Sequence, residues 1–296
     1  MFTPLTSPNE GIHTVATTFS TSQLSTGQSS PAKGFGRRML EAQPTLAKFA
    51  AITAASAGVT ALLGLVDHRQ VLDVNTWIKP TKFFLSTSAY AATLAWAFQH
   101  VHPDQRSSRR AKFVVGATVG AGVLELVIIT ARAALAQQSH FNTGTALDSF
   151  WYNVMAVGAL TLVSTAAVLG RMVWQSGVLS GARRIGWAAG LGLAGTFGAV
   201  TGMVMGGGTG HMVSAAGRVA TSTSTIPFLG WATDIGDLRI AHFAALHAMF
   251  VLPLLGWLAA RRLSETAAAR VTAAASIAWT AVIIGVMANA LAGNAL

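Results

Sequence analysis

Seven apolar runs, each close to the length of a membrane span, constrain this chain more than any other feature. They are roughly Leu46–Val66, Ile78–Phe98, Phe113–Ala136, Phe150–Trp174, Ile185–Met205, Leu238–Ala260 and Val271–Ala292. A helix rises only ~1.5 Å per residue, so about 20 apolar residues are needed to cross a ~30 Å hydrocarbon core. Buried helices of soluble proteins are usually shorter, and seven in series would leave no polar surface. The runs lack the period-two alternation of barrel strands. Composition agrees: 52% of the 296 residues are hydrophobic, 10% are charged, and the mean hydropathy is +0.52. A soluble domain carries about 25% charged residues. The sequence therefore predicts an all-α integral membrane bundle of seven transmembrane helices over residues 46–296. Residues 1–45 read as a Ser/Thr-rich tail too polar to bury a core. No apolar stretch there precedes a small-residue cleavage site, so the tail does not read as a secretory leader.

Charge sets the expected orientation. With the N-terminus inside, only Arg69, Lys79, Lys82, Arg132, Arg218 and Arg239 of the 20 basic residues fall to the outer half. That bias follows the positive-inside rule. Trp77 and Trp151 then mark the outer boundary, and Trp96, Trp174, Trp187 and Trp257 the inner one. Indole rings gather at such boundaries because they pair an apolar body with a polar N–H. The expectation is an N-terminus inside and a C-terminus outside, in a lipid bilayer. The net charge of +10 belongs to this pattern and not to nucleic-acid binding, since no basic stripe interleaved with aromatics is present. The lack of cysteine excludes disulfides, thiolate metal centres and iron–sulfur clusters.

Two glycine patterns read as architecture. The fifth run carries Gly190, Ala194, Gly198, Gly202 and Gly206 at every fourth position, a single helical stripe for close backbone approach. The run from Gly206 to His211 is not a phosphate loop, because it lacks the Gly-Lys-Ser/Thr ending and follows a membrane helix. No internal repeat supports an inverted-repeat transporter.

The ionisable residues carry the functional reading, because charges inside a membrane are costly. His140, His211, His242 and His247 all fall in the outer half or its loops, as do Glu125, Asp148 and Asp237, so any chemistry opens outward. Glu125 lies about 20 Å from the inner boundary and His247 about 15 Å from the outer one, at nearly the same depth. The two are the candidate catalytic pair. The competing reading is a structural pair whose members merely satisfy each other. Arg132 shares the helical face of Glu125, two turns outward. His242 and His247 diverge by about 140° around their helix, so they are not a zinc-type His-x-x-x-His. Asp148 reads as a helix cap before Ser149, and Asp237 with Arg239 as a cap and a snorkelling arginine. His68, His211 and Asp67 read as plain loop residues.

Three stretches carry a resemblance. They are Trp77-Ile78-Lys79-Pro80-Thr81-Lys82-Phe83, Ser139-His140-Phe141-Asn142, and Gly236-Asp237-Leu238-Arg239-Ile240-Ala241-His242-Phe243-Ala244-Ala245-Leu246-His247. Together they resemble a family of uncharacterised bacterial polytopic membrane proteins, over about residues 75–260. The resemblance implies a bacterial inner-membrane protein and places weight on Lys79, Lys82, Glu125, His140, Asn142, Asp237, Arg239, His242 and His247. It brings no assigned activity.

These residues lead to an expected outward-facing intramembrane site built from the third, fourth and sixth spans. In it His140, His242, His247 and Glu125 bind a transition metal or haem b, or handle protons. Imidazole suits zinc, copper and iron, and two imidazoles can hold a haem. An oxidoreductase or a metal-dependent enzyme modifying a lipid or small-molecule substrate would fit. The alternatives are a proton- or ion-coupled small-solute transporter or channel using the same groups as a relay, and a non-catalytic membrane subunit of a homo- or hetero-oligomer.

Overall fold

The computed structural model describes Met1 and residues 34–208, 210–219, 222–227 and 229–295. Each apolar run is one long helix: α2 (Pro44–Val66), α3 (Ile78–Ala97), α4 (Arg109–Ala134), α5 (Ala146–Ser176), α6 (Gly181–Gly206), α7 (Leu238–Arg262) and α8 (Glu265–Leu291). A short helix, α1 (Phe35–Ala42), precedes them. Helical structure therefore starts before the boundary at residue 45 that composition suggests; the rest of the expected tail, residues 2–33, lies outside the described residues. The reason is burial: Met39 and Ala42 pack into the core beside Phe98 and Val101. Pro44 then sits in the first turn of α2, where its missing N–H costs nothing.

Six of the long helices are long and apolar enough to cross a membrane, the mark of a multi-pass membrane protein. They expose apolar side chains such as Ile52, Val127, Val157 and Ile277, which lipid can cover. α3 is the more polar helix and is not among the six, because Lys79, Lys82, Ser86 and Ser88 lower its hydropathy.

α6 packs extensively on both α5 and α7. Its glycines explain why. A Cβ on Gly190 would lie 2.6 Å from the Ala248 carbonyl oxygen and 2.9 Å from Pro253 Cδ. A Cβ on Gly186 would strike the Leu252 carbonyl oxygen, and one on Gly195 the Ala167 backbone of α5. The small-residue stripe is thus a seam of backbone contact, and Pro253 is seated in it. Toward the C-terminal end of α6 the seam loosens: Gly198 faces the Leu246 side chain and Gly202 faces His242.

Polar groups inside the bundle find partners close by. The Tyr90 hydroxyl donates to the Leu162 carbonyl at 2.8 Å, and Thr118 and Thr165 hydroxyls meet at 2.9 Å. Trp279, mid-span in α8, donates from Nε1 to the Ala244 carbonyl at 3.0 Å.

Two small β caps close the end of the bundle where α2 ends and α3 begins. Between α2 and α3, β1 (Gln70–Val71) pairs antiparallel with β2 (Val74–Asn75). The turn residues Leu72 and Asp73 have φ of 53° and 60°, the backbone of a type I′ hairpin turn. Asp67 anchors this hairpin, accepting from Arg69 at 2.7 Å and from Trp77 Nε1 at 2.8 Å. Between α6 and α7, β3 (Met212–Ser214), β4 (Gly217–Val219) and β5 (Gly236–Asp237) form a sheet in the order β4-β3-β5. Arg218 donates to the Met205 and Gly210 carbonyls at 3.1 and 2.9 Å, satisfying the C-terminal end of α6.

Candidate functional site

Beneath these caps lies a cavity of about 660 Å³. α3 supplies Lys79, Lys82 and Phe83, α4 supplies Ile129 and Ala133, and the α4–α5 loop supplies Ser139, His140 and Phe141. The α6–α7 connection adds His211, and the first turn of α7 adds Arg239. α3 is therefore a main wall, whereas the sequence points to the third, fourth and sixth spans.

His140 is the hub. Lys79 Nζ lies 3.1 Å from its Nδ1 and Ser139 Oγ lies 3.2 Å from the same atom. A protonated lysine only donates, so Nδ1 is the acceptor and the imidazole proton resides on Nε2. Nε2 lies 3.9 Å from Glu125 Oε2. That is beyond a hydrogen bond. Burial first, and the Lys79 ammonium second, push the His140 imidazole down to about 3, so it is neutral at physiological pH. Phe83 and Tyr152 flank its ring, with centroids 5.6 and 6.4 Å away.

Glu125 is only 4% exposed, and neither carboxylate oxygen has a hydrogen-bond partner among the described residues. A buried, unpartnered carboxyl is expensive and is retained where function needs it. Its space exists because position 158 on α5 is glycine: a Cβ there would lie 3.0 Å from Glu125 Oε1.

The loop is bent to bring His140 over Glu125. Phe141 has φ of 57°, a region costly for a bulky side chain by about 1–2 kcal/mol. Its ring sits between Tyr152 and His211, at 5.5 and 5.9 Å. Asn142 steadies the loop, donating to the Gln138 carbonyl and accepting from Gly144 N–H.

Several expected site residues also make structural contacts. Asp237 caps α7, accepting Arg239 N–H at 3.0 Å, and it also accepts Ala232 N–H at 3.0 Å. Burial alone would raise its carboxyl; the Arg239 guanidinium hydrogen bonds outweigh that and hold it below its ordinary value. Arg239 Nη2 also donates to the Gly230 carbonyl, so the pair fastens the α6–α7 connection. Arg132 meets Asp148 at 2.6 Å and donates to Gln137 at 2.7 Å. The α5 cap is Thr145 and not Asp148, whose backbone N–H donates to the Thr145 hydroxyl.

His242 and His247 do not join this group. His242 Nδ1 lies 3.0 Å from the Thr201 hydroxyl, against the α6 seam. His247 stacks on Phe243 at 3.6 Å, donates from Nδ1 to the Phe243 carbonyl at 2.8 Å, and meets Phe250 edge-on. The expected pairing of Glu125 with His247 is thus corrected to Glu125 with His140. Nor is the expected ligand set of His140, His242, His247 and Glu125 assembled: among the described residues no three His, Cys, Asp or Glu side chains come together as a metal site.

The residue that sequence reasoning missed is His211. Its Nε2 is buried without a partner among the described residues, and burial chiefly pushes its imidazole down to about 4. Its place after the glycine run gave no signal, since the β3–β5 pairing that carries it inward is non-local. No family model, curated protein or solved structure matches the chain.

Proposed function

We propose that this is a multi-pass membrane protein whose outward-facing cavity binds a small solute and couples it to protonation of Glu125. The observation that carries this reading is the unpartnered carboxyl of Glu125 beside His140 Nε2, with Lys79 on the far side of the ring. Lys79 and His140 line the cavity, whereas Glu125 lies behind them. A proton passed from Lys79 Nζ to Nδ1, with the Nε2 proton passed to Glu125 Oε2 once the 3.9 Å gap closes to hydrogen-bond distance, leaves His140 neutral with its tautomer reversed. Lys79 becomes the amine and Glu125 the acid. Imidazole is suited to this two-sided exchange.

The same proposal includes seven spans with the N-terminus inside, α3 being the second, and a bacterial inner membrane as the location. The charge bias and the family resemblance support it. So do Arg184 over the Trp174 ring and Arg261 over the Trp257 ring, each at 4.0 Å, at the end remote from the cavity. Such cation–aromatic pairs suit an interface that is apolar on one side and wet on the other.

The test is proton flux in proteoliposomes carrying an internal pH-sensitive dye, under an imposed membrane potential and with extracts of small solutes outside. The wild type should acidify the lumen, Glu125→Gln should not, and His247→Phe should match the wild type. Equal flux in the wild type and Glu125→Gln would remove Glu125 from the proposal.

A further inference from the structure

We infer that the cavity takes an anionic amphiphile: an oxygen-rich acidic head, carboxylate or phosphate, joined to a single hydrocarbon chain. This deepens the proposed function and rests on the same outward-facing site. Among the described residues, the ionisable side chains that line the cavity are Lys79, Lys82, Arg239, His140 and His211, and none of these is an acid. Both histidines are held neutral, at about 3 and about 4. The two nearby carboxyls, Glu125 and Asp237, are not part of the lining. Asp237 occupies Nε and Nη2 of Arg239. Nη1 makes no hydrogen bond with the described residues, and Arg239 stands within electrostatic reach of Lys82. A cationic solute would meet two ammonium groups and a guanidinium, whereas an anion would relieve their mutual repulsion.

Much of the remaining lining is hydrocarbon. Val71, Leu72, Ile78, Ile129, Met205 and Leu229 line the same space, and Leu72 at the hairpin tip is 68% exposed. A free inorganic anion would leave this wall idle. The volume of about 660 Å³ lies within the range of small-ligand sites. The amide side chains of Gln137 and Gln138 can orient the head without adding charge.

The experiment titrates octyl phosphate, inorganic phosphate and octanol calorimetrically into the full-length protein in phosphatidylcholine nanodiscs. Octyl phosphate should bind at one saturable site, with the other two weaker by about tenfold or more. Lys82→Gln should weaken octyl phosphate by about tenfold, and Lys82→Arg should keep most of the affinity. Lysophosphatidic acid, a single-chain membrane lipid, placed in the disc distinguishes the sources. Lost octyl phosphate binding identifies a membrane-lipid headgroup, and unchanged binding identifies a free amphiphile; both fit the inferred class. Octanol binding as tightly as octyl phosphate would overturn the anion, and inorganic phosphate binding as tightly would overturn the tail. Equal affinity in Lys82→Gln would also overturn the inference. Glu125→Gln should still bind octyl phosphate. Binding without proton flux would thus defeat only the proton reading, and flux without binding only this one.

Discussion

The His140 imidazole turns its Nε2 toward Glu125 Oε2, 3.9 Å away, while Lys79 holds its Nδ1 from the other side at 3.1 Å. One neutral ring thereby separates a cavity lysine from a buried carboxyl. The consequences reach both function and stability.

Gly158 keeps the carboxyl in place. A Cβ there would lie 3.0 Å from Glu125 Oε1 and 3.2 Å from Leu124 Cδ2. Gly158→Ala should therefore displace Glu125 and reduce proton flux severalfold. Gly120→Ala, with nothing within 4 Å, should leave flux unchanged. Flux assays on the two variants, matched for folded protein by size exclusion, check this.

The α6 seam should tolerate no added carbon. Gly190→Ala drives a methyl group into the Ala248 carbonyl of α7 and should cost about 1–3 kcal/mol. Gly192, on the same helix, has nothing within 4 Å, so Gly192→Ala should be neutral or slightly stabilising. Thermal unfolding in detergent separates the two. Equal midpoints would show that α6 and α7 are less closely packed than the fold requires.

Acid should loosen the cavity end of the bundle. The His140 imidazole is pushed from 6.5 down to about 3, chiefly by burial and then by Lys79. The unfolded chain therefore takes a proton that the folded site refuses. The contribution of His140 is complete above pH 6.5 and declines as pH falls from there toward 3, by about 1.4 kcal/mol per pH unit at most. The groups facing it are Lys79, Glu125 and Ser139. His140→Gln should flatten the fall of the melting midpoint between about pH 7 and 5. His211 supplies a parallel slope that the variant keeps.

Orientation is open to thiol labelling, because the chain has no cysteine of its own. Ser107 lies in the exposed α3–α4 connection and Ala216 in the exposed turn between β3 and β4. Ser107→Cys should resist an impermeant maleimide added to intact cells, and Ala216→Cys should react. The reverse would place the cavity on the cytoplasmic side.

Much of this fold was legible because hydrophobic length is a local property. All seven apolar runs became helices, and the Asp237 cap and the glycine stripe could be read from spacing alone. Facing was not legible. The helical rise places Glu125 and His247 at similar depth, but rotation about the axis is set by packing between helices. Gly186, Gly190 and Gly256 lock α7 onto α6 through Ala182, Ala248 and Leu252. That lock carries His247 to the side of Phe243 and Phe250. His140 reaches Glu125 from a loop, through a left-handed Phe141 that no periodicity encodes. The tail boundary moved for a similar reason: Met39 and Ala42 are too few to form an apolar run, yet both are buried.

The central claim is that Glu125 takes and gives up a proton through His140. The direct measurement is the infrared difference spectrum of the protein in lipid between acid and alkaline pH, in the region of the protonated carboxyl stretch. The account predicts a wild-type band that disappears in Glu125→Gln, shifts its midpoint in His140→Phe and is unchanged in His247→Phe. A spectrum identical in the wild type and Glu125→Gln would contradict it.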